Sequence, residues 1–200
     1  MSGKKMFAVV VAGVTLAAIP AFSQEDVTYK SDATVQALGS FVKSTNSGGV
    51  EQGETNSGGV LASYRYYFDR HNGVEVNYGY ALNSQTYGLT GGPLELKNNA
   101  HEATADYVFR FPSKRFRPFA LAGTGALVFD PTGFTGAGSQ ARAAFVYGAG
   151  ADFNFSNHIF MRAEYRGFVY SSPTFGLTEL IGPGRVTHRA EPSIGFGYRF

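Results

Sequence analysis

The chain has 200 residues, with 17 Lys and Arg against 15 Asp and Glu, and it contains neither Cys nor Trp. The absence of Cys excludes a disulfide-held fold and a lipid anchor attached through a cysteine. The near balance of charge gives no reason to expect nucleic acid as a partner, and the length fits one domain.

The N-terminus has the pattern of an export signal. Two lysines precede an apolar run over 6–19, and Ala21 and Ser23 have the small size that signal cleavage requires. We therefore predict a signal peptide over 1–23, which leaves 24–200 as the mature domain. The alternative is a membrane anchor, but the run is shorter than the roughly 20 residues of a spanning helix.

Eight segments of the remaining chain alternate between apolar and polar side chains, the pattern of a strand with two different faces. In chain order they cover 33–41, 60–68, 74–80, 102–111, 119–127, 145–153, 161–169 and 189–200. An even number of strands of this length suits a barrel that crosses a membrane. The pattern predicts an all-β fold, a closed antiparallel eight-stranded up-and-down transmembrane β-barrel.

The spacers between the segments alternate in length. Short spacers at 69–72, 112–115 and 154–157 are rich in turn-forming residues. Long spacers, rich in Gly, Ser, Thr and Pro, cover 44–57, 82–98, 130–140 and 171–187. Short turns on one side and long loops on the other are typical of outer-membrane barrels, which places the turns and both termini in the periplasm.

Alternation alone does not show which face points outward, because a soluble barrel of lipocalin type would bury the aromatic face. The export signal, the aromatic terminal strand and the unequal loops favour aromatic side chains facing lipid. We then expect a turn-side aromatic girdle of Tyr66, Phe68, Phe109, Phe111, Phe119, Phe153, Phe196, Tyr198 and Phe200, and a loop-side girdle of Tyr80 and Phe129.

The opposite face carries charges of both signs. Its predicted members are Arg65, Glu75, Glu102, Asp106, Asp152, Arg162, Glu164, Arg166, Arg189 and Glu191. The interior of an eight-stranded barrel is just wide enough for side chains, and a buried charge without a partner is costly. We predict a network of ion pairs in the lumen. Such a network either fills the lumen as a plug or lines an ion path that it gates.

The chain resembles the family of small outer-membrane barrels that includes the OmpA-like, OmpX-like and opacity-type proteins. The resemblance covers 33–200 and is carried by the motifs Arg-Pro-Phe at 117–119, Gly-Ala-Gly-Ala-Asp at 148–152, Arg-Ala-Glu-Tyr-Arg at 162–166 and Gly-Phe-Gly-Tyr-Arg-Phe at 195–200. It implies an integral protein of the bacterial cell outer membrane. It also implies that Phe196, Tyr198 and Phe200 form the signature that the barrel-assembly machinery reads.

The sequence does not favour an enzyme or a cofactor. The deacylases that modify lipid A in this membrane carry a His-x-Ser motif, whereas His188 is followed by Arg189 and Ala190. The four histidines lack metal-ligand spacing. We therefore expect a structural or surface-interaction role. A narrow ion or small-solute channel is the first alternative, and a lipid A-modifying enzyme is the second.

The expected partners are outer-membrane lipid and lipopolysaccharide, with the protein as a monomer. Arg142, Arg185 and His188 lie near the predicted outer rim, where they could meet lipopolysaccharide phosphates. The long loops carry apolar residues that either contact an extracellular ligand or cover the barrel mouth. These residues are Tyr87, Leu89, Pro93, Leu94, Leu96, Phe175, Leu177, Leu180 and Ile181.

Overall fold

The computed structural model describes residues 29–42, 45–47, 50–54, 57–89, 92–111, 113, 115–132, 139–171 and 186–200. The predicted signal peptide, Arg185 and the apolar residues of the last long spacer lie outside these ranges. The described residues form ten strands and include no helix that could span a membrane. The strands are β1 Ser31–Val42, β2 Thr45–Ser47, β3 Val50–Glu54, β4 Ser57–Tyr67, β5 Asn72–Leu89, β6 Gly92–Arg110, β7 Phe116–Thr132, β8 Gln140–Asn154, β9 Ile159–Ser171 and β10 Val186–Arg199.

Eight of these strands close into a barrel. Every strand from β4 to β9 pairs antiparallel with the next one, and β1 pairs with both β4 and β10. Val35, for example, lies opposite Ala62 on one side and Phe196 on the other. At the seam, Ser31 N donates to Phe200 O at 3.2 Å and Phe200 N donates to Ser31 O at 2.9 Å. The predicted fold is confirmed.

The second predicted long loop is wrong, because β5 and β6 continue through it as a hairpin. Their pairing runs without interruption from Asn72 opposite Phe109 to Leu89 opposite Gly92. The pairing of β5 with β4 ends at Ala81, and the pairing of β6 with β7 ends at Lys97. Beyond these points the hairpin pairs only with itself and with β3 in the described chain, so it rises about 20 Å above the barrel wall.

The two faces of the barrel wall differ as predicted in seven of the eight barrel strands. Tyr64, Tyr107, Tyr165 and Phe196 are exposed on the outer surface, with Phe196 at 64%. Arg162, at 0% exposure, and Glu164 lie inside. An apolar exterior around a charged interior is the reverse of a soluble protein and is the arrangement that lipid requires.

Strand β7 is the exception, and the predicted orientation of its side chains is wrong. Phe119 and Phe129 are 2% and 0% exposed inside the barrel, with Leu121 and Leu127, so neither ring belongs to a girdle. The alanines between them face outward. The stretch 118–129 contains no charged residue, so its sequence pattern does not show which face of the strand points into the lumen. The large side chains go inward because the facing strand β8 has glycines there.

Glycine in β8 makes room for the inward ring of β7. Gly150 lies opposite Phe119, and a Cβ added there would sit 2.6 Å from both Phe119 Cζ and Ala163 O. We expect Gly150→Ala to lower the free energy of unfolding in detergent by about 1–3 kcal/mol, through overpacking. The matched control is Gly58→Ala, whose new Cβ would meet its nearest atom, Leu38 O, at 3.8 Å. Equal urea midpoints for the two variants would contradict this packing.

The first short turn is held by Asp69. Its carboxylate accepts from Asn72 Nδ2 at 2.7 Å and from the backbone N–H groups of His71 and Asn72 at 2.7 and 2.8 Å. These bonds, the side-chain bond from Asn72 first, lower the pKa of Asp69 from 3.8 to about 2. Such a motif is a typical aspartate-nucleated turn.

The lowered pKa of Asp69 determines how the stability of this turn depends on pH. Since folding lowers the pKa, the ionised carboxylate stabilises the turn above the unfolded value of 3.8, and the contribution is lost as the pH falls through about 2. We expect a carbon-detected NMR titration of Asp69 in micelles to give a midpoint near 2, and Asp69→Asn to remove the effect. A midpoint near 3.8 in the folded protein would contradict the turn geometry.

Candidate functional site

The charged interior is the candidate functional site. All ten residues predicted for the lumen are buried. In each strand they share a face with the other inward side chains, because the side-chain period of a strand is two. Among the described residues, the buried charged groups comprise six arginines and seven carboxylates. Near-neutrality is what a closed, low-dielectric interior needs.

Arg162 on β9 is the centre of a turn-side cluster. Its Nε donates to Asp152 Oδ1 at 2.7 Å, and its Nη2 lies 3.0 Å from Asp32 Oδ1. Its Nη1 donates to Glu75 Oε2 at 3.1 Å. Glu75 also accepts from Arg65 Nε at 2.6 Å. Two guanidinium groups and three carboxylates from five strands are therefore joined across the lumen.

A second cluster lies on the loop side of the first. Arg166 Nη2 contacts Glu102 and lies 3.0 Å from Glu191 Oε2. Arg189 Nη2 contacts Glu191 and lies 3.8 Å from Glu102 Oε2. Each arginine thus meets the same two carboxylates, one from β6 and one from β10.

Glu164 connects the two clusters. Its Oε2 lies 3.7 Å from Arg65 and its Oε1 lies 3.4 Å from Arg166 Nε. Consecutive inward positions of β9 therefore supply Arg162, Glu164 and Arg166 as a charge ladder along the barrel axis.

Asp106 is held differently from the other nine predicted residues. Its Oδ2 accepts from Asn77 Nδ2 at 2.8 Å and from Thr104 Oγ1 at 2.9 Å. Within the described chain it has no arginine inside ion-pair distance. The sequence prediction placed Asp106 in the lumen but did not anticipate that neutral groups would be its partners.

Sequence reasoning missed the aromatic platforms under the guanidinium groups. Arg65 lies 4.1 Å above the Phe119 ring, Arg199 lies 4.6 Å above Phe160, and Arg166 lies 5.2 Å above Phe168. Such cation–π contacts are strongest where water is excluded. The alternation of β9 indicates two of these rings, since Phe160 and Phe168 lie on the same face of the strand as its charged residues.

Sequence reasoning also missed the acidic partner Asp32. The predicted first segment began one residue later, at Ala33, although Asp32 has the parity of the inward Thr34. Its carboxylate is buried and is one of the three that meet Arg162. A segment boundary misplaced by one residue was enough to hide it.

The position of Arg142 contradicts its predicted contact with lipopolysaccharide. It lies on the inward face of β8 with Ala144 and Val146, and its Nη2 donates to Gln140 Oε1 at 3.1 Å. Residues two apart point to the same side of a strand, so Arg142 shares the inward side of β8 with the buried Ala144 and Val146. His188 does face outward, where its Nε2 lies 2.6 Å from the Tyr147 hydroxyl.

The histidines contact aromatic side chains rather than one another. His101 Nδ1 lies 2.8 Å from the Tyr78 hydroxyl, His158 Nε2 lies 3.1 Å from the Tyr29 hydroxyl, and the His71 ring stacks on Phe109. In the described ranges no group of His, Asp and Glu could hold a metal ion. These residues belong to the polar tips of the aromatic belts.

The predicted assembly signature lies on the exterior at the seam. Phe196 and Tyr198 are exposed on the outward face of β10, and Phe200, which directly follows the strand, is exposed as well. The rings of Tyr64 and Phe200 are 6.1 Å apart across β1. The terminal strand therefore presents an aromatic row to the lipid.

A closed sheet of eight antiparallel strands, apolar outside and ionic inside, defines an outer-membrane β-barrel. The chain belongs to the outer membrane protein beta-barrel domain family, whose model matches residues 9–200. The family resemblance predicted from the sequence is confirmed, as is the location in the bacterial cell outer membrane. No curated protein matches the sequence.

Solved structures of small outer-membrane barrels share this fold, among them the following three. Ail, the attachment invasion locus protein of Yersinia pestis, solved with the heparin analogue sucrose octasulfate, is 21% identical, with a TM-score of 0.57 over 86% of this chain and 99% of that chain. The outer membrane protein OprG of Pseudomonas aeruginosa is 14% identical, with a TM-score of 0.62 over 86% and 97%. Neisserial surface protein A is 13% identical, with a TM-score of 0.61 over 85% and 97%.

Proposed function

We propose that this protein is a monomeric outer-membrane barrel with a structural or surface-interaction role and a lumen that does not conduct. The observation that supports the plug is Glu164, which lies between Arg65 of the turn-side cluster and Arg166 of the second cluster and so connects the two across the lumen. An ion entering the lumen would have to displace charge-assisted hydrogen bonds at the layers of Arg162 and Arg166.

The apolar side chains of the lumen support the same proposal. Leu127, Phe129, Phe168 and Tyr170 form one buried cluster, and Leu38, Leu61 and Ala81 form a second one. Apolar constrictions oppose ion passage because an ion cannot shed its water there. Charged and apolar residues together fill the width that eight strands enclose.

Planar-bilayer recording tests the plug. We expect purified, refolded protein to give no current steps above the leak of the bilayer, while a porin added afterwards gives its normal steps. Reproducible steps from the protein alone would favour the narrow channel instead. The double variant Arg166→Ser with Glu102→Ser removes one ion pair without changing the net charge. Current steps from that variant but not from wild type would locate the barrier at this pair.

The surface-interaction role rests on the β5–β6 hairpin. It extends the barrel wall with β3 as a small sheet on the loop side. The side that carries the long loops faces outward in outer-membrane barrels, so we propose this hairpin as the contact surface for an extracellular ligand. The predicted loop residues Tyr87, Leu89, Pro93, Leu94 and Leu96 lie on it.

The remaining partners follow from the exterior. We propose that the aromatic surface meets outer-membrane lipid, with lipopolysaccharide on the loop side. We also propose that the barrel-assembly machinery reads Phe196, Tyr198 and Phe200. No enzymatic activity is part of the proposal, because His101, His158 and His188 are engaged with tyrosines on the lipid-facing side.

A further inference from the structure

Three arginines meet at the turn-side mouth of the lumen. Arg110 ends β6, Arg117 begins β7 and Arg199 ends β10. Arg117 lies opposite Asp152 in the pairing of β7 with β8, and Arg199 Nη2 lies 3.6 Å from the Asp152 carboxylate. Arg110 lies opposite Phe119, two residues from Arg117 on β7. Such a concentration of positive charge is unfavourable unless a negative group compensates it.

The nearby carboxylates are already engaged. Both oxygens of Asp152 accept from Arg162, at 2.7 and 3.1 Å, and Arg199 Nη2 lies 3.6 Å from Asp152 Oδ2. Asp32 also pairs with Arg162. Within the described chain, Arg110 and Arg117 have no carboxylate inside ion-pair distance, and Arg199 reaches only Asp152. The mouth is therefore left with surplus positive charge.

Arg199 also has donors without acceptors. The residue is 3% exposed, and its Nε and Nη2 are buried with no hydrogen-bond acceptor in the described chain. A buried guanidinium donor normally has a partner, since leaving one unmade costs more than an average hydrogen bond contributes. Arg166 has two such donors deeper in the lumen as well, so those of Arg199 indicate a place for an anion only together with the positive charge at the mouth.

Backbone contacts and a ring hold the other two guanidinium groups in place. Arg110 Nε and Nη2 donate to Arg70 O at 3.3 and 3.2 Å, and its guanidinium lies 3.7 Å from the Tyr67 ring centroid. Arg117 Nε donates to Ser113 O at 2.9 Å, and this side chain is partly exposed. The mouth is thus prearranged and accessible from the turn side.

We propose that Arg110, Arg117 and Arg199 form a binding site for a phosphate-type anion at the turn-side mouth. Guanidinium groups match phosphate oxygens in geometry and charge. The exposed Arg70 and Arg115 in the adjoining turns raise the local positive potential that attracts such an anion. The source is either the headgroup phosphate of a lipid in the adjacent leaflet or inorganic phosphate in the surrounding solution.

Thermal unfolding in maltoside micelles, which contain no phosphate, tests the site. Inorganic phosphate is titrated into the mature protein at constant ionic strength set with chloride. We expect phosphate to raise the unfolding midpoint of wild type, and Arg117→Gln to weaken the apparent phosphate affinity about tenfold. Arg117 is chosen because it is the partly exposed member and should tolerate substitution. Arg142→Gln, at the loop-side end of the lumen, is the matched control and should behave like wild type.

The same measurement in phosphatidylglycerol nanodiscs separates the two sources. If the lipid supplies the anion, added phosphate has no further effect there, and Arg117→Gln loses more stability in nanodiscs than in micelles. If free phosphate is the ligand, its effect persists in nanodiscs. Either result supports the site. No phosphate effect on wild type in micelles, or equal effects on wild type, Arg117→Gln and Arg142→Gln, would overturn it.

Discussion

Replacing Arg162 by methionine should lower the free energy of unfolding by about 3–5 kcal/mol, because it leaves three buried carboxylates without their shared cation. Asp152, Asp32 and Glu75 all lie within 3.1 Å of the Arg162 guanidinium. Methionine keeps much of the apolar volume, so the loss reports the charge rather than a cavity. Urea unfolding of the refolded protein in micelles measures the change. The near-UV signal of tyrosine reports unfolding, because the chain contains no tryptophan.

The control for Arg162→Met removes one of the three carboxylate charges that the substitution leaves without Arg162. Since Asp152 accepts two bonds from Arg162, the double variant Arg162→Met with Asp152→Asn should recover part of the stability, with a coupling of about 2 kcal/mol. Arg70→Met, in an exposed turn, should stay within about 0.5 kcal/mol of wild type. If Arg162→Met behaved like Arg70→Met, the ionic cluster would not contribute to the folded barrel.

Strand parity explains how far the sequence determined this interior. In β9 the charges of Arg162, Glu164 and Arg166 mark the inward face, and once that face is known every other side chain of the strand is placed. The same reasoning predicted the barrel and the burial of all ten charged residues. It could not predict which carboxylate each arginine meets, because those contacts cross the lumen between strands far apart in sequence.

The sequence was least informative where a strand lacks charge or a loop has strand character. Between Pro118 and Phe129, β7 offers only apolar and small residues and Thr124, so both orientations fit the pattern. The Gly, Ser, Thr and Pro residues of 82–98 favour a loop, yet pairing between β5 and β6 overrides such local preferences. Both errors arise because the orientation of β7 and the pairing of β5 with β6 depend on neighbouring strands and not on the residues of one segment alone.

Phe119 provides the sharpest test of the corrected orientation. If its ring fills the lumen beneath Arg65 and Arg162, as the 4.1 and 5.2 Å ring distances indicate, Phe119→Ala should cost about 3–5 kcal/mol of unfolding free energy. The loss combines a cavity with the removal of two cation–π contacts. Urea unfolding in micelles is again the measurement.

Phe145→Ala is the matched control, because Phe145 is 55% exposed on the outer face of the neighbouring strand β8. Its ring contacts detergent rather than a packed interior, so the expected loss is about 1 kcal/mol. Should the two substitutions cost the same, or Phe145→Ala cost more, Phe119 would have to face lipid. The guanidinium groups of Arg65 and Arg162 would then lack the ring that they both contact. Another contact would then have to hold the two arginines of the turn-side cluster side by side.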